Sequence, residues 1–114
     1  TSRITEKGGI IMEQEELAKV AMEVILHAGN ARNLCRDAAV KISKKQLDGV
    51  KEQLDEADKE IVLAHKAQTD LLHSEARGQK VEMTVLLSHA QDTLMNTESE
   101  KFLIDTFYNY VKEN

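Results

Sequence analysis

A histidine, a glutamine and a carboxylate stand close together in an apolar segment of the last third of the chain. His89, Gln91 and Asp92 lie within residues 81–97, which read VEMTVLLSHAQDTLMNT. Near neutral pH an imidazole can act as an acid, a base, a metal ligand or a nucleophile, so spacing alone leaves all four roles open for His89. This segment is the strongest candidate for chemistry in the sequence.

Other motifs for catalysis or metal binding are missing. The sequence contains no glycine-rich phosphate loop, no CxxC, no HExxH and no nucleophile elbow, which excludes the commoner motif-defined enzymes. His27, His65 and His73 are expected to be solvated or hydrogen-bonded structural residues. His65 and His73 also lack the one-turn spacing of a helical metal pair.

Helical spacing divides the region around His89 into two apolar stripes. At about 100° per residue one stripe forms a seam that is expected to pack inside the protomer. The second has coiled-coil spacing and includes Asp92, whose carboxylate must be solvated, neutralised or paired with a cation if it is buried. The seam is Met83, Leu87, Ala90 and Leu94; the second stripe is Val81, Val85, Ser88, Asp92, Met95, Ser99, Phe102 and Thr106.

Composition places the chain in the all-α class. It has 114 residues, enough for one small domain, with no proline and five glycines among many helix-favouring residues. A formal net charge of −5 and the lack of a basic stripe argue against nucleic-acid binding. The single cysteine, Cys35, cannot form an internal disulfide. No apolar run approaches the roughly 20 residues of a membrane span, so a cytoplasmic protein is expected.

Residues 1–12 lack periodicity and are predicted to be a flexible leader, followed by a helical domain over residues 13–114. Gly29 and Asn30 fit either a turn between two short helices or the interior of one helix. Because the apolar stripe keeps its register through Ala31 and Cys35, one continuous first helix is predicted. Its stripe comprises Leu17, Ala21, Val24, Ala28, Ala31, Cys35, Ala38 and Ile42.

Two further helices complete the predicted fold. The second is predicted from Leu47 to about Glu75, with Gly78 as its stop, and the third from about Lys80 towards the C-terminus. The turn before the second helix, near residues 43–46, contains no glycine or proline. Three helices of similar length predict an antiparallel three-helix bundle. The apolar stripe of the second helix comprises Leu47, Val50, Leu54, Ala57, Ile61, Ala64, Gln68 and Leu71.

The third helix carries more apolar surface than two partner helices can cover. We therefore expect a homo-oligomer in which copies of this helix meet around a symmetry axis and bring the Asp92 carboxylates together. Like charges at such close range require a divalent cation or bound protons.

Three stretches resemble the lactose/cellobiose-type IIA components of the bacterial sugar phosphotransferase system. Residues 86–92, LLSHAQD, followed by Leu94 and Met95, resemble the active-site segment of that family. Residues 27–32, HAGNAR, and 64–69, AHKAQT, resemble parts of its first and second helices. The resemblance covers about residues 15–112. It implies a homotrimer of three-helix protomers, a nine-helix arrangement.

The resemblance implies a cytoplasmic phosphotransferase component with His89 as its nucleophile. His89 would accept a phosphoryl group from the histidine-containing phosphocarrier protein, forming a phosphohistidine, and pass it to a cysteine of the cognate IIB component. Association with the membrane IIC component would be indirect. Cellobiose, chitobiose and lactose all fit as transported sugars, because selectivity belongs to the membrane component.

Other site residues follow from the same resemblance. Asp92 would lie at the trimer axis, where three copies share one divalent metal ion, Mg²⁺. Gln91 would hydrogen-bond the phosphoryl group or orient the imidazole. Asn30 and Arg32 are equally consistent with reaching the site from a neighbouring protomer and with a purely structural role.

The sequence departs from the family pattern at several places, among them Asn96 and Glu98, which replace residues that the family tends to keep small or apolar. Thr93 stands where the family usually has a second histidine, which puts a helper imidazole in doubt. Lys45 and Gln46 replace the usual Gly-Asp of the first interhelical turn, which affects the turn and its stability. These departures do not put His89 itself in doubt. The alternative function is a catalytically silent helical oligomerisation or regulatory protein of the same fold, and phosphorylation distinguishes the two.

Overall fold

Three long α-helices account for most of the chain. A computed structural model describes residues 2–4, 10–12 and 14–114. Helix α1 spans Gln14–Ser43, α2 spans Val50–Ala76 and α3 spans Val85–Glu113. The predicted all-α, three-helix fold is confirmed. None of the described helices is long and apolar enough to cross a membrane.

A small sheet of short strands lies outside the helices. Strand β1 spans Ser2–Ile4, β2 spans Ile10–Met12 and β3 spans Gln79–Lys80. The central strand, β2, pairs antiparallel with β1 and parallel with β3. Strands β1 and β2 fall within the stretch predicted to be a flexible leader, and residues 1 and 5–9 of that stretch lie outside the described residues.

The apolar stripe of α1 supplies the central part of the core. All eight of its predicted positions are buried, and the helix continues without a break through Gly29, so the prediction of one continuous helix is confirmed. Most of these side chains are small, which allows α2 and α3 to pack close to α1. Leu17 and Ile42 are the largest, and burying each contributes about 1.5–3 kcal/mol.

Helices α1 and α3 run parallel, with α2 antiparallel to both. One core cluster brings Leu17 of α1 together with Leu87 of α3, both near the beginnings of their helices. A second cluster brings Ile42 together with Val111, both near the ends. Helix α1 packs closely on both of its neighbours, whereas α2 and α3 touch each other much less. A groove between α2 and α3 is therefore left open.

The turn between α1 and α2 contains a left-handed residue that the sequence did not signal. Lys45 has a φ of 57°. The amide of Gln46 donates to the carbonyl of Lys41 at 2.9 Å, and the amide of Lys45 donates to the carbonyl of Ile42 at 2.9 Å. This is the Schellman arrangement, whose left-handed position is usually glycine. A lysine there costs about 1 kcal/mol in backbone strain.

Helix α3 begins at Val85, later than the predicted start near Lys80, which belongs to β3. Thr84 caps the helix, because its Oγ1 accepts a hydrogen bond from the amide of Leu87 at 3.0 Å. Met83 precedes the cap and is 61 % exposed, so its placement in the buried seam was wrong. The other seam residues are buried as predicted: Leu87, Ala90 and Leu94.

Candidate active site

His89 lies early in α3, five positions after the Thr84 cap that fixes where the helix begins. Its side chain is exposed. Within the part of the chain that the structure describes, no residue hydrogen-bonds to the imidazole, so both ring nitrogens are open to an incoming group. The site thus presents an unpaired imidazole at the surface.

The threonine one turn after His89 bonds to the backbone instead of the imidazole. Thr93 Oγ1 donates to the carbonyl oxygen of His89 at 2.7 Å, and Thr97 Oγ1 donates to the carbonyl oxygen of Thr93 at 2.7 Å. Such bonds satisfy each hydroxyl within its own helix. Thr93 therefore does not act on the ring of His89 as a second imidazole would.

Asp92 lies among exposed apolar side chains on the second stripe of α3, called the outer stripe from here on. Val85, Met95 and Phe102 are 89 %, 64 % and 70 % exposed, and Asp92 is exposed as well. In a single chain Asp92 is thus solvated, one of the three states that the sequence allowed. No cluster of three or more His, Cys, Asp or Glu side chains in the described residues could hold a metal ion. A cation bound at Asp92 would need ligands from further chains.

His89 and Gln91 lie on opposite flanks of α3. At about 100° per residue, His89 is displaced about 60° from Asp92 on one side and Gln91 about 100° on the other. Gln91 is half-buried and lines a cavity of about 300 Å³ between α2 and α3. Within one chain the structure does not bring Gln91 to His89. The other residues lining the cavity are Gln68, Leu71, Leu72, Glu75, Val81, Met83 and Leu87.

Asn30 and Arg32 bond to carboxylates away from His89. Asn30 Nδ2 donates to Glu60 Oε1 at 3.1 Å, and Arg32 Nε donates to Glu100 Oε2 at 3.1 Å. Glu100 follows His89 by about three helical turns, roughly 16 Å along the axis. These two residues therefore join α1 to α2 and to α3, and neither reaches His89 in the same chain.

Two of the remaining histidines form hydrogen bonds between helices. His27 Nδ1 lies 2.6 Å from Glu60 Oε2 and joins α1 to α2. His65 Nε2 lies 2.8 Å from Glu98 Oε2 and joins α2 to α3. His73 is exposed near the end of α2. None of these three histidines is brought to His89.

Sequence reasoning missed two polar residues inside the bundle. Lys101 is 5 % exposed, and its ammonium group lies 2.9 Å from Asp58 and 2.6 Å from Asp105. The Oε1 of Gln68 is buried without a hydrogen-bond partner in the described residues. The sequence did contain a signal for Gln68, because it is a polar residue at a position of the apolar stripe of α2. It contained none for Lys101, whose burial depends on a carboxylate of another helix.

Comparison with known proteins matches nearly the whole helical part of the chain. Residues 19–112 match the family described as PTS system, Lactose/Cellobiose specific IIA subunit. The lichenan-specific phosphotransferase enzyme IIA component of Bacillus subtilis is 38 % identical over 87 residues, which cover 76 % of this chain and 79 % of that protein. The PTS system lactose-specific EIIA component of Streptococcus mutans is 41 % identical over 86 residues, which cover 75 % and 83 %.

A solved structure agrees with the sequence comparison. The crystal structure of the PTS cellobiose-specific enzyme IIA from Bacillus anthracis superimposes with a TM-score of 0.81 at 37 % identity, covering 90 % of this chain and 93 % of that one. The resemblance seen in the sequence is thereby confirmed. The chain belongs to the lactose/cellobiose-specific IIA family of the sugar phosphotransferase system.

Proposed function

We propose that this IIA component carries a phosphoryl group on His89. The group comes from the histidine-containing phosphocarrier protein and passes to a cysteine of the cognate IIB component. The observation that supports this proposal is the imidazole itself, which is exposed and has no hydrogen-bond partner in the described residues of a chain of this family.

The transfer requires little beyond an accessible nucleophile. A ring nitrogen of neutral His89 attacks phosphorus while the bond from phosphorus to the donor histidine breaks, and the donor leaves as a neutral imidazole that keeps the proton on its other nitrogen. A thiolate of the IIB component then attacks phosphorus, a sulfur–phosphorus bond forms, and His89 is released. Catalysis of this kind depends mainly on positioning the groups in line.

The proposed assembly is a homotrimer of nine helices with the outer stripe of α3 at its centre. Val85, Met95 and Phe102 are largely exposed in the single chain, and covering side chains of this size contributes about 1.5–3 kcal/mol each. Large apolar side chains that recur along one stripe and that the chain itself leaves uncovered are typical of an interface between copies, even though Ser88, Asp92 and Ser99 interrupt them here.

A divalent cation fits the centre of such a trimer. The threefold axis brings together three Asp92 carboxylates, and carboxylate oxygens are ligands that Mg²⁺ prefers in proteins. One Mg²⁺ per trimer, when bound, would offset the repulsion among the three negatively charged carboxylates. Asp92 is exposed and has no partner in the described residues, so its carboxylate is available for that role.

Gln91 can support His89 only from a neighbouring protomer. The two residues occupy opposite flanks of α3, separated by about 160°. Around a threefold axis, the His89 flank of one copy faces the Gln91 flank of the next. In the proposed trimer Gln91 therefore hydrogen-bonds the phosphoryl group, or orients the imidazole, in the adjacent copy.

The proposed wider role is to serve the uptake of a β-linked disaccharide, with this chain acting on the cytoplasmic side of the transport system. Cellobiose, chitobiose and lactose are the proposed sugars, in line with relatives named for lichenan, lactose and cellobiose. Contact with the membrane IIC component is indirect, through IIB. The chain itself is proposed to be cytoplasmic.

The experiment that tests this function is intact-mass analysis after incubation with phosphoenolpyruvate, enzyme I and the histidine-containing phosphocarrier protein. The expected result is the gain of one phosphoryl group per chain, removed by acid as a phosphohistidine requires. His89→Gln should abolish the gain and leave the trimer intact, whereas the matched exposed variant His73→Gln should be phosphorylated normally. No gain with active upstream proteins, or a phosphorylated His89→Gln protein, would contradict the proposal.

A further inference from the structure

Gln68 lines the cavity between α2 and α3, and the oxygen and nitrogen of its side-chain amide differ in burial. The Oε1 of Gln68 is buried and accepts no hydrogen bond in the described part of the chain. The Nε2 of the same amide has no hydrogen-bond partner in that part of the chain either, but it is not buried, so it is free to donate. A buried acceptor left unpaired costs about 1–3 kcal/mol, which is unusual for a side chain with no further use.

The lining of this cavity suits a dehydrated anion held by neutral donors. Among the described residues that line it, Gln68 and Gln91 carry amide groups and Glu75 is the only charged residue. The remaining lining residues are apolar, among them Leu72 and Met83. Amide N–H groups donate to phosphoryl oxygens, and apolar walls keep water away from them.

The helix geometry brings this cavity to His89 of another copy. Gln91 lines the cavity and lies only two positions from His89 along α3, so the cavity is at the same height on the bundle, within about 3 Å. His89 faces away from the cavity of its own chain. Around a threefold axis its flank faces the Gln91 flank of the adjacent chain.

We propose that Gln68 binds the phosphoryl group on His89 of the adjacent protomer, donating a hydrogen bond from Nε2 to a phosphoryl oxygen. This inference rests on the proposed function, since it requires phosphorylated His89 and a trimer. The apolar walls beside Gln68 shield the phosphorus–nitrogen bond from water. Gln68 thus protects the phosphohistidine from hydrolysis until the IIB thiolate arrives, and it does so from the neighbouring chain.

The first test is the rate at which phosphorylated protein loses its phosphoryl group at neutral pH, followed by intact mass. Gln68→Met keeps the length of the side chain and removes the amide, and we expect hydrolysis about five- to tenfold faster. The matched control Gln46→Met lies in the exposed turn at the other end of the bundle and should decay at the wild-type rate. Light scattering establishes the trimer for each variant. A trimeric Gln68→Met protein that decays at the wild-type rate would overturn the inference.

A mixed trimer tests whether Gln68 acts between chains. Co-expressed Gln68→Met and His89→Gln chains form trimers in which only the former can be phosphorylated. With random assembly about half of those phosphohistidines face a chain that retains Gln68. We therefore expect two decay phases of about equal size, one at the wild-type rate. A single fast phase would show that Gln68 acts within its own chain and would overturn the inference.

The two proposals fail in different ways. Absence of phosphorylation in the wild-type protein would remove both. Normal phosphorylation on His89 with no effect of Gln68→Met on decay would remove only the role of Gln68. As a second variant, Gln68→Glu keeps the shape of the side chain and replaces the donor with a carboxylate. It should be phosphorylated more slowly than wild type, and equal rates would contradict the proposed contact.

Discussion

The ammonium group of Lys101 lies 2.9 Å from the carboxylate of Asp58 and joins α3 to α2, although Lys101 is almost completely buried. It also bonds to Asp105 of its own helix at 2.6 Å. Burial lowers the pKa of Lys101, but the hydrogen bonds and charges of Asp105 and Asp58 outweigh it, so the pKa is raised overall. This bridge is notable because α2 and α3 touch each other so little.

Replacing Lys101 distinguishes packing from charge. Lys101→Ala removes the buried stem, and we expect the free energy of unfolding to fall by about 2–3 kcal/mol. Lys101→Met fills the same space and leaves only Asp58 and Asp105, which are exposed enough to be solvated, so the loss should stay below about 1 kcal/mol. Urea denaturation of both variants measures the difference. Equal losses would show that the ion pairs, not the stem, stabilise this part of the bundle.

Stability should fall at alkaline pH, and Cys35 should contribute to the fall. Burial raises the pKa of the Cys35 thiol from 9.0 to about 11. As the pH rises, the unfolded chain loses this proton first, so the stabilisation is complete below pH 9.0 and disappears as the pH approaches about 11. We expect roughly 2 kcal/mol from this thiol over that range. The raised pKa of Lys101 acts in the same direction, but at higher pH.

The control for the alkaline prediction is Cys35→Ala. Its stability at neutral pH will differ somewhat, since a buried sulfur is lost, but the comparison concerns the slope with pH. Urea titrations at several pH values should give a shallower fall between pH 9 and about 11 for the variant than for the wild type. Parallel curves would mean that the thiol does not titrate differently in the two states.

The turn between α1 and α2 offers a stabilising substitution. Lys45 occupies a left-handed position with a φ of 57°, which glycine adopts without strain. Lys45→Gly should therefore raise the free energy of unfolding by about 0.5–1 kcal/mol. Lys44 has an ordinary φ, so Lys44→Gly should be neutral or destabilising. Thermal unfolding of the two variants tests this, and a lower melting temperature for Lys45→Gly would contradict it.

Asp92→Leu tests what holds the proposed trimer together. The substitution removes repulsion at the axis and adds apolar area, so the trimer should persist or become tighter. A chelator should loosen the wild-type assembly and leave Asp92→Leu unchanged. Sedimentation at decreasing protein concentration measures both effects. Dissociation of Asp92→Leu into monomers would instead show that the cation is needed for assembly.

The sequence by itself determined the helices and their buried faces. The stripe from Leu17 to Ile42 is buried at every predicted position, because each residue of a regular helix turns by a nearly constant angle. It also identified the family, since the HAQD segment and two further stretches lie in order on three helices. Met83 was wrongly predicted to be buried because the apolar periodicity extends to the N-terminal side of the Thr84 cap, whereas the helix begins only after it.

Only the tertiary structure decided which groups of different helices meet. Periodicity places His89 and Gln91 on opposite flanks of α3, but it does not say that the Gln91 flank borders a cavity shared with Gln68 of α2. Nor does it reveal the burial of Lys101, which is stabilised by Asp58 from another helix. Helix periodicity is local and depends on neighbouring residues, whereas these contacts depend on the relative rotation and height of separate helices, which packing of the whole bundle fixes.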